Sequence, residues 1–208
     1  MHEGEVSEKL NLPGVPAAAE DCGTAREIAA AAAYDVPVHI CHVSTATSAA
    51  LIRDAKARGV KVTAETAPHY LLLTDEALEK HDADYRMNPP LRSEKDRLAM
   101  IEAVKDGTID MIATDHAPHS LEEKSRGFAG SAFGIVGMET AFPVMYTELV
   151  EKGVITLDRL IDLMYTEPRK RFGMSTCSIE EELHKEKPTF AIWDLHETYK
   201  VDPEKFMT

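Results

Sequence analysis

Cysteine is scarce in this sequence of 208 residues. Three are present, Cys22, Cys41 and Cys177, an odd number without a C-x-x-C pair. That excludes a disulfide framework and fits a reducing compartment. Long apolar runs are lacking as well: none approaches the ~20 residues that a membrane-spanning helix needs. Basic residues are outnumbered, 23 Lys and Arg against 36 Asp and Glu, for a net charge of −13. Such a balance argues against non-specific binding to nucleic acid or to an anionic membrane surface. It leaves room for a small anionic substrate in a locally positive pocket. The opening MHEGEVSEKL lacks the basic head and apolar stretch of a secretory signal, so the cytoplasm is the expected location. Internal repeats are absent, and the only biased stretch is an alanine run. What remains is an ordinary globular composition, 44% hydrophobic and 28% charged.

The pattern along the chain alternates. Residues 1–19 read as loop, with the turn chemistry of NLPGVP. A helix is predicted over 24–34, where Thr24 serves as cap, Glu27 follows three residues later and the alanines favour helix. VPVHICHV at 36–43 reads as a buried strand, 47–59 as a helix ending at Gly59, and 60–67 as a second strand. Residues 93–107 give the clearest helix, with Ser93 and Asp96 as a capping pair and Leu98, Ile101 and Val104 on one face. IDMIATD at 109–115 is a third strand; helices follow at 138–152, at 157–165 and from Pro168. Alternation at this spacing predicts βα units and a parallel sheet. Three strands would leave both sheet edges bare, so the chain reads as part of a larger sheet.

Each predicted strand runs into a polar cluster. The first gives His42, Ser44 and Thr45, the second Thr66, Pro68 and His69, the third Asp115, His116 and His119. Parallel α/β folds bind ligands at the carboxyl ends of their strands. Blander readings stand beside this one. His39 reads as a packed histidine within its strand, His69 as a partner of backbone groups in its turn, and Asp115 alone could be a cap or turn acid. His81, His184 and His196 read as surface residues. Cys41 reads as core, on the face opposite His42. An imidazole with a carboxylate suits an open, catalytic metal site better than a closed structural one. His42 and Asp115 are too few for such a site by themselves.

At this point longer motifs connect. HVST at 42–45, TAETAPHYL at 63–71, MNPPLR at 87–92, GTIDMIATDHAPH at 107–119, FGIVGMETAFP at 133–143 and DLMYTEPRKRFG at 162–173 resemble the dihydroorotase family of the amidohydrolase superfamily. EGEVSEKLNLPGVPAAAE at 3–20 and TFAIWDL at 189–195 are similar to family segments too. The resemblance implies an α/β fold, a partial TIM (β/α)8 barrel of the metal-dependent hydrolase type. It would cover roughly strands six to eight over 1–174, with the start of a carboxyl-terminal β segment at 175–208. It implies reversible hydrolysis and cyclisation between dihydroorotate and N-carbamoyl-L-aspartate, in pyrimidine biosynthesis, with a binuclear Zn2+ centre. His42 then corresponds to a metal ligand and Asp115 to a ligand that is also the catalytic acid/base. Asn88, His119, Phe133 and Gly134 correspond to substrate contacts, and His116 to a supporting residue. The stretch 120–132 reads as flexible and, by analogy, covers the site.

The sequence also departs from the family. The paired histidines of the first strand, the residue bridging two metals, the histidine of the fifth strand and the substrate-gripping arginine have no counterpart in these residues. Ala132 stands where the family has proline before Phe-Gly. The expectation is a carboxyl-terminal half-barrel, inactive alone, whose partners are the small substrate, a missing amino-terminal half or a second copy, and possible aspartate transcarbamoylase. Hydantoinase and allantoinase types, or a non-catalytic scaffold, are the alternatives.

Overall fold

Three parallel strands, β1 (Val38–Ile40), β2 (Val62–Thr66) and β3 (Met111–Ile112), form a sheet in the order β1-β2-β3 in the computed structural model, which describes residues 1–80 and 82–176. Val38 pairs with Val62 and Ile40 with Ala64; Glu65 pairs with Met111 and Thr66 with Ile112. Parallel neighbours need long crossovers. Helix α3 (Ala46–Ala57) supplies the first and α5 (Glu94–Lys105) the second. The predicted strands and their parallel order are therefore present, each shorter than the predicted span. The β segment expected at 189–195 lies outside the described residues, as do His81, His184 and His196.

Alternation along the strands separates two faces. Ile40, Val62 and Ala64 point into a core shared with Ile28, Ile52 and Met100. His39, Thr63 and Glu65 occupy the other face and are half-buried. The helical side of the core is closed by Met145, Leu149, Leu160 and Leu163, all essentially without exposure. On α5 the buried face is Met100, Ala103 and Val104, while Leu98 is 50% exposed. The predicted face with Leu98 is thus rotated. Ser93 caps this helix as expected, its hydroxyl accepting from the Asp96 amide and donating to the Asp96 carboxylate at 2.6 Å.

Helices extend into the region read as loop. α1 spans Glu5–Lys9, and α2 runs Ala17–Tyr34, opened by Pro16 in an extended conformation rather than by Thr24. Thr24 is buried in mid-helix and accepts a hydrogen bond from Ser48 Oγ at 3.1 Å. Short helical turns follow β2: α4 (Pro68–Leu72) has proline in its first turn, where a missing N–H costs nothing. After β3 come α6 (Leu121–Lys124), α7 (Gly127–Gly130) and α8 (Ala141–Met145), the last widening into a π-helical turn over Tyr146–Glu151. α9 (Leu157–Ile161) does the same over Asp162–Thr166 before α10 (Glu167–Arg171). Pro168 would clash with the carbonyl four residues back in a regular helix, and the wider turn falls there. No described helix is long and apolar enough to cross a membrane.

Candidate functional site

The ladder continues beyond the strands and aims two side chains at each other. Val43 donates to Glu65 O at 2.9 Å, Thr66 Oγ1 to Val43 O at 2.7 Å, and Ala113 to Thr66 O at 3.0 Å. These bonds hold the ends of β1 and β3 on either side of the end of β2. There the backbone of His42 (φ 56°) and of Asp115 (φ 50°) turns into the left-handed region. Non-glycine residues visit that region at a cost, and such residues concentrate at functional sites. His42 Nε2 lies 3.2 Å from Asp115 Oδ1. The sequence-predicted donors from two strands are therefore adjacent. Burial pushes the Asp115 carboxyl above the ordinary aspartate value, against the pull of His42 and with added repulsion from Glu65.

A buried ion network fixes the loop that carries His42. Glu20 of α2 accepts from the amides of Ser44 (2.8 Å) and Thr45 (3.1 Å) and from the Ser44 hydroxyl. Asp21 accepts from Thr45 Oγ1 at 2.5 Å, and Thr45 in turn caps α3. Arg92, 3% exposed, donates to Ser44 Oγ at 3.0 Å, to Glu20 at 3.3 Å and to Val15 O at 3.2 Å. Sequence reasoning named only Asn88 from MNPPLR. Its arginine holds the loop that carries His42 in place through Ser44 and Glu20, and the cue was the charged residue that closes the motif. Asn88 itself is exposed.

His69 is buried, its Nε2 has no hydrogen-bond partner, and its ring meets Tyr70 edge-on at 4.2 Å. It does not satisfy the turn through Nε2, contrary to the sequence reading. Burial, with a smaller contribution from His42, lowers its pKa to about 3, so the ring is neutral. His116 is exposed and accepts from the amides of Gly137 (3.1 Å) and Met138 (3.2 Å) at Nδ1. Cys41 is exposed, not core. The strand has ended at Ile40, so the alternation that would have buried it no longer holds.

His119, Phe133 and Gly134 form one bonded unit with the 86–88 segment. His119 Nε2 donates to Phe133 O at 2.8 Å, Gly134 N to Arg86 O at 3.0 Å, and the Arg86 guanidinium sits 4.2 Å over the Phe133 ring. Gly134 is required: a Cβ there would lie 2.3 Å from Ala117 O, and its φ is +155°. The 120–132 stretch, read as flexible from sequence, carries a set of hydrogen bonds to the segments around it. Ser120 and Glu123 cap α6 reciprocally. Lys124 Nζ donates to the carbonyls of Ala83 (2.9 Å), Arg86 (3.1 Å), Ala132 (3.2 Å) and Gly134 (2.6 Å). Burial lowers its ammonium below the ordinary lysine value. Ala132 uses its N–H to bond Glu123 O at 3.1 Å, a bond that proline could not make.

An imidazole and a carboxylate facing each other at the carboxyl ends of parallel strands mark an α/β fold built around a ligand site. Residues 2–205 match the Amidohydrolase family, and the chain belongs to that family. It is 47% identical over all its 208 residues to proteins named dihydroorotase from Bacillus cytotoxicus and Bacillus cereus, covering 48% of each. The chain thus spans about half the length of the curated relatives it matches. Among solved structures it is similar to the dihydropyrimidinase of Brevibacillus agri, with TM-score 0.70 and 34% identity over 74% of this chain and 35% of that one. A D-hydantoinase from Thermus sp. gives TM-score 0.71 and 27% identity, over 81% of this chain and 38% of that one.

Proposed function

We propose that this chain carries part of the active site of a dihydroorotase-type hydrolase, acting on the ring amide of dihydroorotate and, in reverse, cyclising N-carbamoyl-L-aspartate. In this reading residues 1–174 are the carboxyl-terminal half of a (β/α)8 barrel, with β1, β2 and β3 as its sixth, seventh and eighth strands. The observation that carries it is the 3.2 Å approach of His42 Nε2 to Asp115 Oδ1 at the strand ends. Donors at that separation suit one divalent cation, Zn2+ by ligand type. When bound, the cation supplies Lewis acidity toward the amide carbonyl and activates water.

The protein's own residues do the rest. Asp115, whose carboxyl is raised by burial, takes the proton of the attacking water and returns it to the leaving ring nitrogen. His42 is held toward the cation by the Glu20–Ser44–Arg92 network. Asn88 and His119 contact the polar ring edge and the carboxylate of the substrate. The loop at Phe133 and Gly134 closes over it, its backbone exchanging bonds with Arg86 and His119 for bonds to substrate. Two donors do not complete a binuclear centre, so further donors come from outside the described residues, and the chain alone does not turn over.

Absorbance of dihydroorotate with added Zn2+, with metal content measured on the same sample, tests this. The isolated chain gives no hydrolysis; a chimera joining it to the remaining part of the Bacillus cytotoxicus relative hydrolyses dihydroorotate, and Asp115→Asn abolishes that. Turnover by the isolated chain sinks the incomplete-site reading. A second reading is favoured by the dihydropyrimidinase and hydantoinase likenesses: a chimera that opens hydantoin but not dihydroorotate establishes it instead.

A further inference from the structure

One cluster on the sheet's other face is not used by the chemistry above. His39, Cys41 and Glu65 each offer a metal-ligating atom, and these atoms lie within 4.8 Å of one another. This is the one triple of its kind among the described residues, and it contains neither His42 nor Asp115. We propose that His39 Nε2, Cys41 Sγ and Glu65 form a separate binding site for a thiophilic divalent cation of the Zn2+ or Co2+ class, joining β1 to β2.

Three observations carry it. The donor set is imidazole, thiolate and carboxylate, the mixture that borderline cations select and that Mg2+ or Ca2+ do not. A tetrahedral cation with bonds of about 2.0–2.3 Å needs its donors roughly 3.3–3.8 Å apart. His39 Nε2 and Glu65 Oε2 are 3.0 Å apart already, so Cys41 Sγ, on an exposed residue, makes the main adjustment. The imidazole is also oriented in advance. Its Nδ1 lies 2.8 Å from Thr63 Oγ1, which accepts from Arg171 Nε at 3.1 Å, and its ring meets Phe172 edge-on at 6.3 Å. Holding the second ring nitrogen is how proteins fix a metal-binding histidine. Water completes the fourth position from the open side. Without a cation, His39 Nε2 and Glu65 Oε2 face each other at 3.0 Å.

The site shares no ligand with the His42–Asp115 pair, and Co2+ alone probes it without dihydroorotate. The full 208-residue chain, stripped with chelator, is titrated with Co2+ while thiolate-to-cobalt charge-transfer absorption is recorded. The wild-type chain develops the band. The His42→Ala/Asp115→Ala double variant keeps it, Cys41→Ser loses it, and His39→Gln or Glu65→Gln weakens apparent affinity about tenfold or more. Circular dichroism confirms that each variant is folded; Cys41→Ser replaces an exposed, nearly isosteric side chain. The proposal is overturned if the wild-type chain gives no band. It is equally overturned if the band survives Cys41→Ser, which assigns it to Cys22 or Cys177. Loss of the band in the double variant overturns it as well, because Cys41 would then belong to the His42 centre.

Discussion

Mild acid will weaken this fold through His69. The ring is fully enclosed, its Nε2 is unpaired, and burial lowers its pKa from 6.5 to about 3. In the unfolded chain the same ring titrates at its ordinary value. Below that value the unfolded state binds a proton that the folded state refuses. Stability conferred by the neutral ring is therefore intact above 6.5 and is lost progressively as pH falls toward 3. Between pH 7 and pH 5 the linkage integral for this one group is about 2 kcal/mol. Asp75 acts with the opposite sign. Burial raises its carboxyl to about 6, so the folded state binds the extra proton and acid adds stability there. The two contributions partly cancel in the wild-type chain, and a raw pH–stability curve does not separate them. Comparison with His69→Gln does, since the variant keeps Asp75 and lacks the ring. Urea unfolding at pH 7, 6 and 5 measures both chains. The stability advantage of the wild-type chain over the variant shrinks by about 2 kcal/mol across that range. Parallel curves would refute the reasoning: His69 would then be hydrated or protonated in the fold.

Two further outcomes follow from the packing around the site. Arg92→Met removes a buried guanidinium and leaves the half-buried Glu20 carboxylate with its amide donors only, a loss of about 1–3 kcal/mol; chemical denaturation measures it, and an unchanged stability would reduce the pair to a surface contact. Gly134→Ala drives a Cβ to 2.3 Å from Ala117 O, which overpacks the loop by about 1–3 kcal/mol and breaks the His119–Phe133 bond. The His119 ring resonances report the shift, and an unchanged spectrum with unchanged stability would contradict the geometry.

Much of this was legible in the residues, for identifiable reasons. Strand positions followed from short Val- and Ile-rich runs between turn signals, and α5 from Ser93 and Asp96. His42 and Asp115 were legible as neighbours because parallel strands bring their carboxyl ends together. Element limits were less so. α2 starts seven residues ahead of Thr24, at an extended Pro16 that makes no side-chain cap, and alanines carry no boundary signal. Leu98 fits a helical stripe by spacing, yet the groove that receives α5 takes Met100 and Ala103 beside the predicted Val104. Cys41 was read as core because the strand was expected to run through it, and it ends at Ile40. The bonding of 120–132 was hidden altogether. A glycine- and serine-bearing stretch reads as loose, and nothing local announces that Lys124 finds two of its acceptors, Ala83 O and Arg86 O, 41 and 38 residues earlier in the chain.

The way Lys124 does this has a bearing on how the loop can vary. All four of its acceptors are main-chain oxygens, which every residue type possesses. The ammonium therefore recognises a path of the backbone and is blind to the letters written along it. The side chains at acceptor positions such as 83 and 132 can be exchanged without unfastening Lys124, provided that the course of the backbone is kept. One main-chain fastening with interchangeable faces is a means by which a single scaffold can present different surfaces to different small molecules.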